Sequence, residues 1–528
     1  MSVGGETLLY ERPARPRRKL DGKLAMAFGL GLLSLCLSLW QLTAPGYLNL
    51  YDSGVYLGGS IRLISGVLPY RDFTFVQPPG ILVLMTPVAL ISRLIGTQNG
   101  FVLARVVSAL VTAANCGLLA WIVRHRGPTA MLIAGAGLAL LPVSTFVSSG
   151  VRLEPYLICF VLLGSTVVLS RADYAQSLST RRLILGGFLF GIAGLIKLWA
   201  LFPLAAIALC LLPSLRKRIV VFVGAAVGTF AAVALPFLLF SPGNFISEVF
   251  VNQLSRGSAS GNNGGAAFRL IYMTGFAFSS IAPSAEQAEF AFLLFVVIVI
   301  VAFAQRADRK TSDLYLLLAS ILGVAALLAG PDSYDYYGYF TAPFLLGLLG
   351  VCVGRLDRLL RARLRDVKVP GGLRFAGRVT AVVAGIVIVV TLAIEQTTFY
   401  TSFARIYGDE RVPFSAIDNL VPPRSCVISD QTSYLVLSNR VTSADATCPK
   451  VIDPYGMWMA HGGLSTAAAP APDFVATWRS YFAHAQYVVL SSPSTNMVPW
   501  DASLRRWFRG NYDLIYSGSL LFLYQRAD

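Results

Sequence analysis

Between Leu24 and Leu42 the chain runs for 19 residues without a charged side chain, directly after a basic segment containing Arg12, Arg15, Arg17, Arg18, Lys19 and Lys23. At about 1.5 Å of rise per residue, a helix of that length reaches across the roughly 30 Å hydrocarbon layer of a bilayer. Backbone in hydrocarbon must satisfy its own hydrogen bonds, so a run like this forms a helix. It reads as an uncleaved first span and not a signal peptide, because the run is long and no clear small-x-small cleavage site follows. The basic flank sets residues 1–23 in the cytoplasm.

Further apolar runs follow at Phe101–Val123, Ala130–Val147, Tyr156–Leu169, Leu183–Ile196, Leu198–Leu212, Ile219–Leu239, Phe290–Ala304, Leu314–Leu328, Tyr339–Val353 and Val379–Ile394. Together they predict a polytopic α-helical membrane protein of about eleven transmembrane helices. The composition agrees: 13% of residues are charged, against about 25% in soluble domains.

The formal net charge of +16 invites a nucleic-acid reading, but its distribution argues against one. From Phe399 to the end there are 10 Lys/Arg and 10 Asp/Glu, so the whole excess lies upstream. It is gathered in loops: Arg124 and Arg126; Arg171, Arg181 and Arg182; Arg216, Lys217 and Arg218; Arg306, Arg309 and Lys310; and the stretch Arg355–Arg378. This is the bias of cytoplasmic loops. The alternation holds only if Ile81–Ile95 does not cross. That segment, entered through Pro78-Pro79-Gly80, is expected to lie at, or dip into, the outer surface.

An odd number of spans puts residues 399–528 outside, after a transmembrane domain of residues 24–398. The tail is expected to be a small extracytoplasmic α/β domain with strands at Cys426–Ser429, Tyr487–Ser491 and Leu520–Tyr524. Cys426 and Cys448 are its only cysteines, and that side of the membrane is oxidising, so a disulfide is expected. Ser255–Ala266, rich in Gly, Ser and Asn, reads as a linker or a mobile lid.

The outer loops hold the unusual polar residues. In YLNLYDSGVYLGGSIRLISGVLPYRDFTFVQPPG, Asp52 lies just beyond the first span. A charge so near hydrocarbon is costly and often functional; Asp52 could also cap a helix through Val55–Ser65, and the two roles are compatible. Asp72 is open to capping or to pairing with Arg71. In SSGVRLEPY, Glu154 precedes Pro155 and suits a helix's first turn; alternatively it joins Asp52 in a two-carboxylate site, and Arg152 fits either view. Arg62, Arg105, Lys197, Arg256 and Arg269 are cations on the outer side, against the general bias. Lys197 interrupts GIAGLIKLWALFPL and requires a partner: an anionic substrate group or a structural carboxylate. PDSYDYYGYFTAP adds an aromatic, acidic rim suited to a sugar. There is no P-loop or CxxC, and His125, His461 and His484 lack metal-ligand spacing, which argues against ATP coupling and a structural zinc.

The ordered set YDSGVYLGGSIRLISGVLPYRDFTFVQPPG, GFVLARVVSAL, VRLEPYL and GLIKLWALFPL resembles the GT-C glycosyltransferase superfamily, in particular bacterial relatives of protein mannosyltransferases and of the lipid A aminoarabinose transferase. The match covers roughly the first 200 residues and, weakly, YYGYFTAP. The resemblance implies an inner-membrane hexosyl- or pentosyltransferase taking a polyprenyl-phosphate sugar to an envelope glycan, lipid or protein. It makes Asp52 the catalytic base, with Glu154 where relatives usually carry Asp. It puts Lys197 and Arg105 near the donor phosphate; Arg256 and Arg269, as outer-side cations, are added as candidate phosphate contacts. Tyr56, Arg62, Asp72 and Arg152, from their place in the outer loops, are candidate substrate contacts, and so are Tyr336 and Tyr337, although DYYGYF departs from the His-Tyr often seen in relatives. Some relatives use a divalent metal, and two acids are few ligands for one. The alternatives are a transporter or flippase for a lipid-linked or anionic precursor, which would use the same charges without making a bond, and a non-catalytic scaffold of envelope assembly.

Overall fold

The computed structural model describes residues 22–43, 51–169, 178–215, 218–254, 265–279, 281–304, 310–363, 385, 387, 390–392, 394–398, 413–463 and 470–527. The uncharged N-terminal run forms α1 (Gly22–Thr43). It is followed by α2 (Tyr51–Leu63), α3 (Gly80–Ile95), α4 (Thr97–Val123), α5 (Pro128–Leu140), α6 (Pro142–Ser148), α7 (Leu153–Leu169), α8 (Thr180–Ile196), α9 (Leu201–Leu215) and α10 (Ile219–Phe240). The short α11 (Pro242–Ile246) and a π-turn over Ser247–Val251 lead to α12 (Ala266–Thr274), α13 (Ala285–Ala304), α14 (Thr311–Ala329) and α15 (Gly338–Arg363).

Among the described residues six helical stretches are long and apolar enough to cross a membrane, or seven if α5 and α6 count as one bent span. α3 and α7 are apolar but shorter. Pro142 divides one of the longer sequence runs, and Lys197 keeps two others apart as the sequence reading has them. Pro142 forces Leu141 into an extended conformation (ψ 130°), so Ala130–Val147 becomes two helices bent by 56°. Lys197 is extended as well (φ −155°, ψ 135°), and a single 3₁₀ turn, Leu198–Ala200, separates it from α9. Most of the expected span Val379–Ile394 lies outside the described residues. Burial ranks the rest. The apolar windows of α10 and α13 are 17% buried, as for helices facing lipid, whereas that of Asp335–Leu360 is 72% buried at the centre of the bundle.

α3 buries Ile81, Leu82, Met85 and Ala89 against its neighbours and leaves Leu90 and Leu94 bare, the pattern of a helix seated against lipid. The C-terminal residues form α16 (Phe414–Leu420), β1 (Val427–Ser429), α17 (Thr432–Leu437), α18 (Pro454–Ala460), α19 (Pro472–His484), β2 (Tyr487–Leu490), α20 (Ala502–Asn511), β3 (Tyr512–Ser517) and β4 (Phe522–Arg526). The sheet order is β1-β2-β4-β3, with β1 and β2 parallel and the other pairings antiparallel. β3 is absent from the sequence reading. It is an edge strand with exposed Asp513 and Leu514 and a bulge near Tyr516, so its residues carry no alternating pattern. Trp478, Phe482 and Phe508 fill the core beside a disulfide joining Cys426 and Cys448, whose Cα atoms are 5.4 Å apart.

This C-terminal unit sits directly on α2. A Cβ at Gly54 would stand 2.2 Å from the Ser433 nitrogen in α17, and one at Gly58 2.6 Å from Thr432 Cγ2. The glycines therefore permit a backbone approach that any side chain would block.

Candidate active site

A cavity of about 520 Å³ opens where α2, the start of α7, the Lys197 break, the Tyr334–Tyr337 segment and the C-terminal unit converge. The first turn of α2 supplies Tyr51, Asp52 and Tyr56, and the approach to α7 supplies Arg152 and Glu154. Asp52 and Glu154 each lie in a helix's first turn, where unpaired N–H groups and the helix dipole favour negative charge.

Each acid carries a cation. Arg152 Nη1 forms an ion pair with Asp52 Oδ2, and Lys197 Nζ donates to Glu154 Oε1 at 2.7 Å. Both cations also face rings. The Arg152 guanidinium lies 4.3 Å from the centroid of Tyr336, and Lys197 Nζ lies 3.4 Å from Trp199 and 4.0 Å from Tyr337. Burial is the largest single influence on Arg152 and lowers its basicity, but the surrounding groups, Asp52 first and then Tyr336, Glu154 and Tyr56, together outweigh it and hold the guanidinium above its ordinary value. Arg152 Nη2 is buried and makes no hydrogen bond.

The C-terminal unit completes the wall. Tyr51 Oη donates to Asp453 Oδ1 at 2.8 Å and accepts from Tyr455 N at 2.6 Å, while the Tyr455 and Tyr334 hydroxyls are 2.7 Å apart. Burial, and then the Asp453 charge, raise the Tyr51 hydroxyl well above an ordinary phenol, so it serves as a neutral hydrogen-bonding group.

A second cavity of about 310 Å³, lined mainly by apolar groups including Trp199, Phe202, Leu254 and Leu327, shares Gln77, Lys197 and Tyr337 with the first. The loop between them is pinned: Tyr70 Oη donates to Gln77 O at 2.6 Å and Phe75 N to Glu248 Oε2 at 2.7 Å. Burial pushes the Glu248 carboxyl up to about 8.

Asp52, Tyr56, Arg152, Glu154, Lys197, Tyr336 and Tyr337 thus meet in one cavity. Other candidates stand elsewhere. Arg105 Nε donates to Ser149 O at 2.6 Å and braces the loop before α7. Arg269 Nη1 donates to the carbonyls of Leu327, Leu328 and Gly330, closing the C-terminal end of α14. Arg62 is buried away from the cavity, and burial lowers its guanidinium to about 10. Asp72 pairs with Arg71 and accepts from Leu68 N at 2.7 Å; the Arg71 hydrogen bond holds its carboxyl below the usual range. Arg256 lies outside the described residues. For a divalent metal the fit is poor: among the described residues no three His, Cys, Asp or Glu side chains come together, and the two expected acids are bound to cations.

The sequence reading missed Tyr51, Gln77, Asp453 and Tyr455. One signal for the last two was present: Asp453-Pro454-Tyr455 repeats the acid-Pro-Tyr order of Glu154-Pro155-Tyr156.

Residues 75–331 match the sequence profile of glycosyltransferase family 87. In fold the chain is similar to ArnT from Cupriavidus metallidurans, solved bound to undecaprenyl phosphate, with TM-score 0.55 and 15% identity over 96% of this chain and 98% of that one. It is also similar to the oligosaccharyltransferase AglB from Archaeoglobus fulgidus, solved with an inhibitory peptide and dolichol phosphate, with TM-score 0.53 and 13% identity over 96% and 74% of the two chains. No curated protein matches it in sequence.

Proposed function

We propose that the chain is a multi-pass membrane glycosyltransferase of the GT-C superfamily that moves a sugar from a polyprenyl-phosphate donor to a hydroxyl of a cell-envelope acceptor, a reading supported by the family 87 match over residues 75–331 and by the shared fold. The observation that carries the reading is the position of Lys197. It belongs to both cavities, at the junction of a polar chamber and an apolar cleft. An amphiphile whose anionic group joins a sugar to a long lipid needs such a junction. Undecaprenyl and dolichol phosphate in the two fold relatives support the same donor class.

In this reading the sugar occupies the polar chamber, the phosphate meets Lys197 and the lipid follows the apolar cleft. The acceptor oxygen attacks the anomeric carbon while Asp52 takes its proton. The bond from that carbon to the phosphate oxygen breaks, and its electron pair leaves with the polyprenyl phosphate. One displacement inverts the anomeric centre. Positioned proton transfer contributes about 10²- to 10⁴-fold in rate. Lys197 neutralises charge as it develops on the leaving phosphate, and Arg152, with its second amino group buried and unbonded, aligns Asp52 and can meet a substrate oxygen.

We assign the cavity to the outer face of the inner membrane, with about eleven crossings, residues 1–23 inside and residues 399–528 outside. Charge supports this topology. His125, Arg126, Asp313 and Arg355 cluster at the helix ends opposite the cavity, beside the basic loops. The test is transfer of radiolabel by purified protein in nanodiscs, from a panel of polyprenyl-phosphate sugars to an envelope extract. Transfer is expected. Failure with every donor, coupled with lipid flipping in proteoliposomes, would replace the enzyme by a transporter.

A further inference from the structure

α2 carries Asp52, yet the transmembrane helices are not its only support. Both hydrogen-bonding functions of the neighbouring Tyr51 hydroxyl are taken by the C-terminal unit: it donates to Asp453 Oδ1 at 2.8 Å and accepts from Tyr455 N at 2.6 Å. One turn on, Gly54 and Gly58 lie flat on α17, close enough that a Cβ would clash with Ser433 and Thr432. Asp453 is itself fixed, because Oδ1 also accepts from Gly456 N at 2.9 Å as the N-cap of α18. Tyr455 reaches the opposite wall through the Tyr334 hydroxyl at 2.7 Å. The unit therefore grips both sides of the cavity, and it does so within one residue of the proposed base.

We infer that Asp453 and Tyr455 are positioning residues of the transferase site, acting through the Tyr51 hydroxyl to hold α2, and with it Asp52, in register with the acceptor. The inference rests on the transferase reading for its catalytic consequence but not for its mechanical part. It gives the C-terminal unit a defined role as one jaw of the active site. The bland reading of Asp453 is a helix cap alone. A cap would not require the Tyr51 bond, which joins residues 402 apart in sequence.

The distinction can be measured on the full-length protein in nanodiscs with Tyr51→Phe, Asp453→Ala, the double variant and Asp453→Asn. Asparagine keeps one oxygen for both hydrogen bonds and is as good an N-cap as aspartate. Hydrogen exchange at residues 51–60 reads the bracing, whatever reaction the protein performs. Label transfer per folded molecule, from whichever polyprenyl-phosphate sugar the wild type uses, reads its consequence. Tyr51→Phe and Asp453→Ala are expected to speed exchange of that segment. They are also expected to lower kcat by about 10- to 100-fold with the donor KM held within about twofold, since a displacement of an ångström costs that much. The double variant should be no worse than the poorer single one, and Asp453→Asn should recover to within about threefold. Unchanged exchange in both single variants would overturn the bracing. Faster exchange with wild-type kcat would overturn the link to catalysis. If the wild type moves no label, the transferase reading fails by itself and the exchange arms still decide the mechanical claim.

Discussion

Lys197 Nζ stands 2.7 Å from Glu154 Oε1, and both side chains are buried where the polar chamber opens into the apolar cleft. Neither can lose the other cheaply. Lys197→Met leaves a buried carboxylate without its cation, a change that costs about 3–5 kcal/mol. Glu154→Gln removes the carboxylate that competes for the ammonium, so an anionic lipid phosphate should take its place more readily. The expected outcome is that undecaprenyl phosphate binds Glu154→Gln about tenfold more tightly than wild type and no longer binds Lys197→Met. Titration of the lipid against thermal stability in nanodiscs checks both.

Gly54 tests the close approach between α2 and α17. Alanine there puts a methyl 2.2 Å from the Ser433 nitrogen, and backbone atoms cannot step aside as a flexible side chain would. Gly54→Ala should destabilise the protein by about 1–3 kcal/mol and loosen the C-terminal unit. Limited proteolysis should then release a C-terminal fragment from the variant earlier than from wild type. Gly22→Ala, with no atom within 4 Å of the new methyl, is the matching control.

Four charged residues that line this cavity stand out in the sequence for a simple physical reason. Asp52, Arg152, Glu154 and Lys197 are charges beside or within apolar runs, and a charge there has to be explained. The same reasoning overreached at Arg105 and Arg269. A buried or half-buried cation can be satisfied by backbone carbonyls as well as by a ligand, and these two take Ser149 O and the last carbonyls of α14. Asp453 and Tyr455 went unnoticed because they lie in a tail where polar residues are ordinary. Tyr51 was passed over because its role depends on partners 402 and 404 positions away. Helix existence followed from apolar length. The break at Lys197 was legible as a charge between the Leu183–Ile196 and Leu198–Leu212 runs, whereas the one at Pro142 was written in the sequence too but a hydropathy run averages over it.

Asp430 predicts a pH dependence of the C-terminal unit. It is buried at the end of β1, accepts from Ser491 N at 2.8 Å and also meets Ser491 Oγ, while burial raises its carboxyl to about 6. A carboxyl raised on folding favours the native state when protonated. Its contribution is therefore complete below the unfolded value near pH 4 and lost as pH rises through about 6, a change of up to about 3 kcal/mol. Wild type should lose more stability than Asp430→Asn between about pH 4 and pH 7, which melting curves of the two proteins across that range can read.

The Cys426–Cys448 bridge closes a loop with a sequence separation of 22. In the chain-entropy account a loop of that size contributes about 3 kcal/mol. A Cys426→Ala/Cys448→Ala variant should unfold at correspondingly lower denaturant in its C-terminal unit. Non-reducing mass spectrometry of wild type should find both thiols oxidised.

The central claim is that Asp52 takes the acceptor proton. Its most direct test is the kcat of wild type and Asp52→Asn, measured side by side with the same polyprenyl-phosphate sugar and acceptor, per folded molecule. Asparagine keeps the shape and a hydrogen-bonding oxygen but takes no proton. The account predicts a fall of about 10²- to 10⁴-fold in kcat with donor affinity little changed. Equal turnover by the two proteins would contradict it.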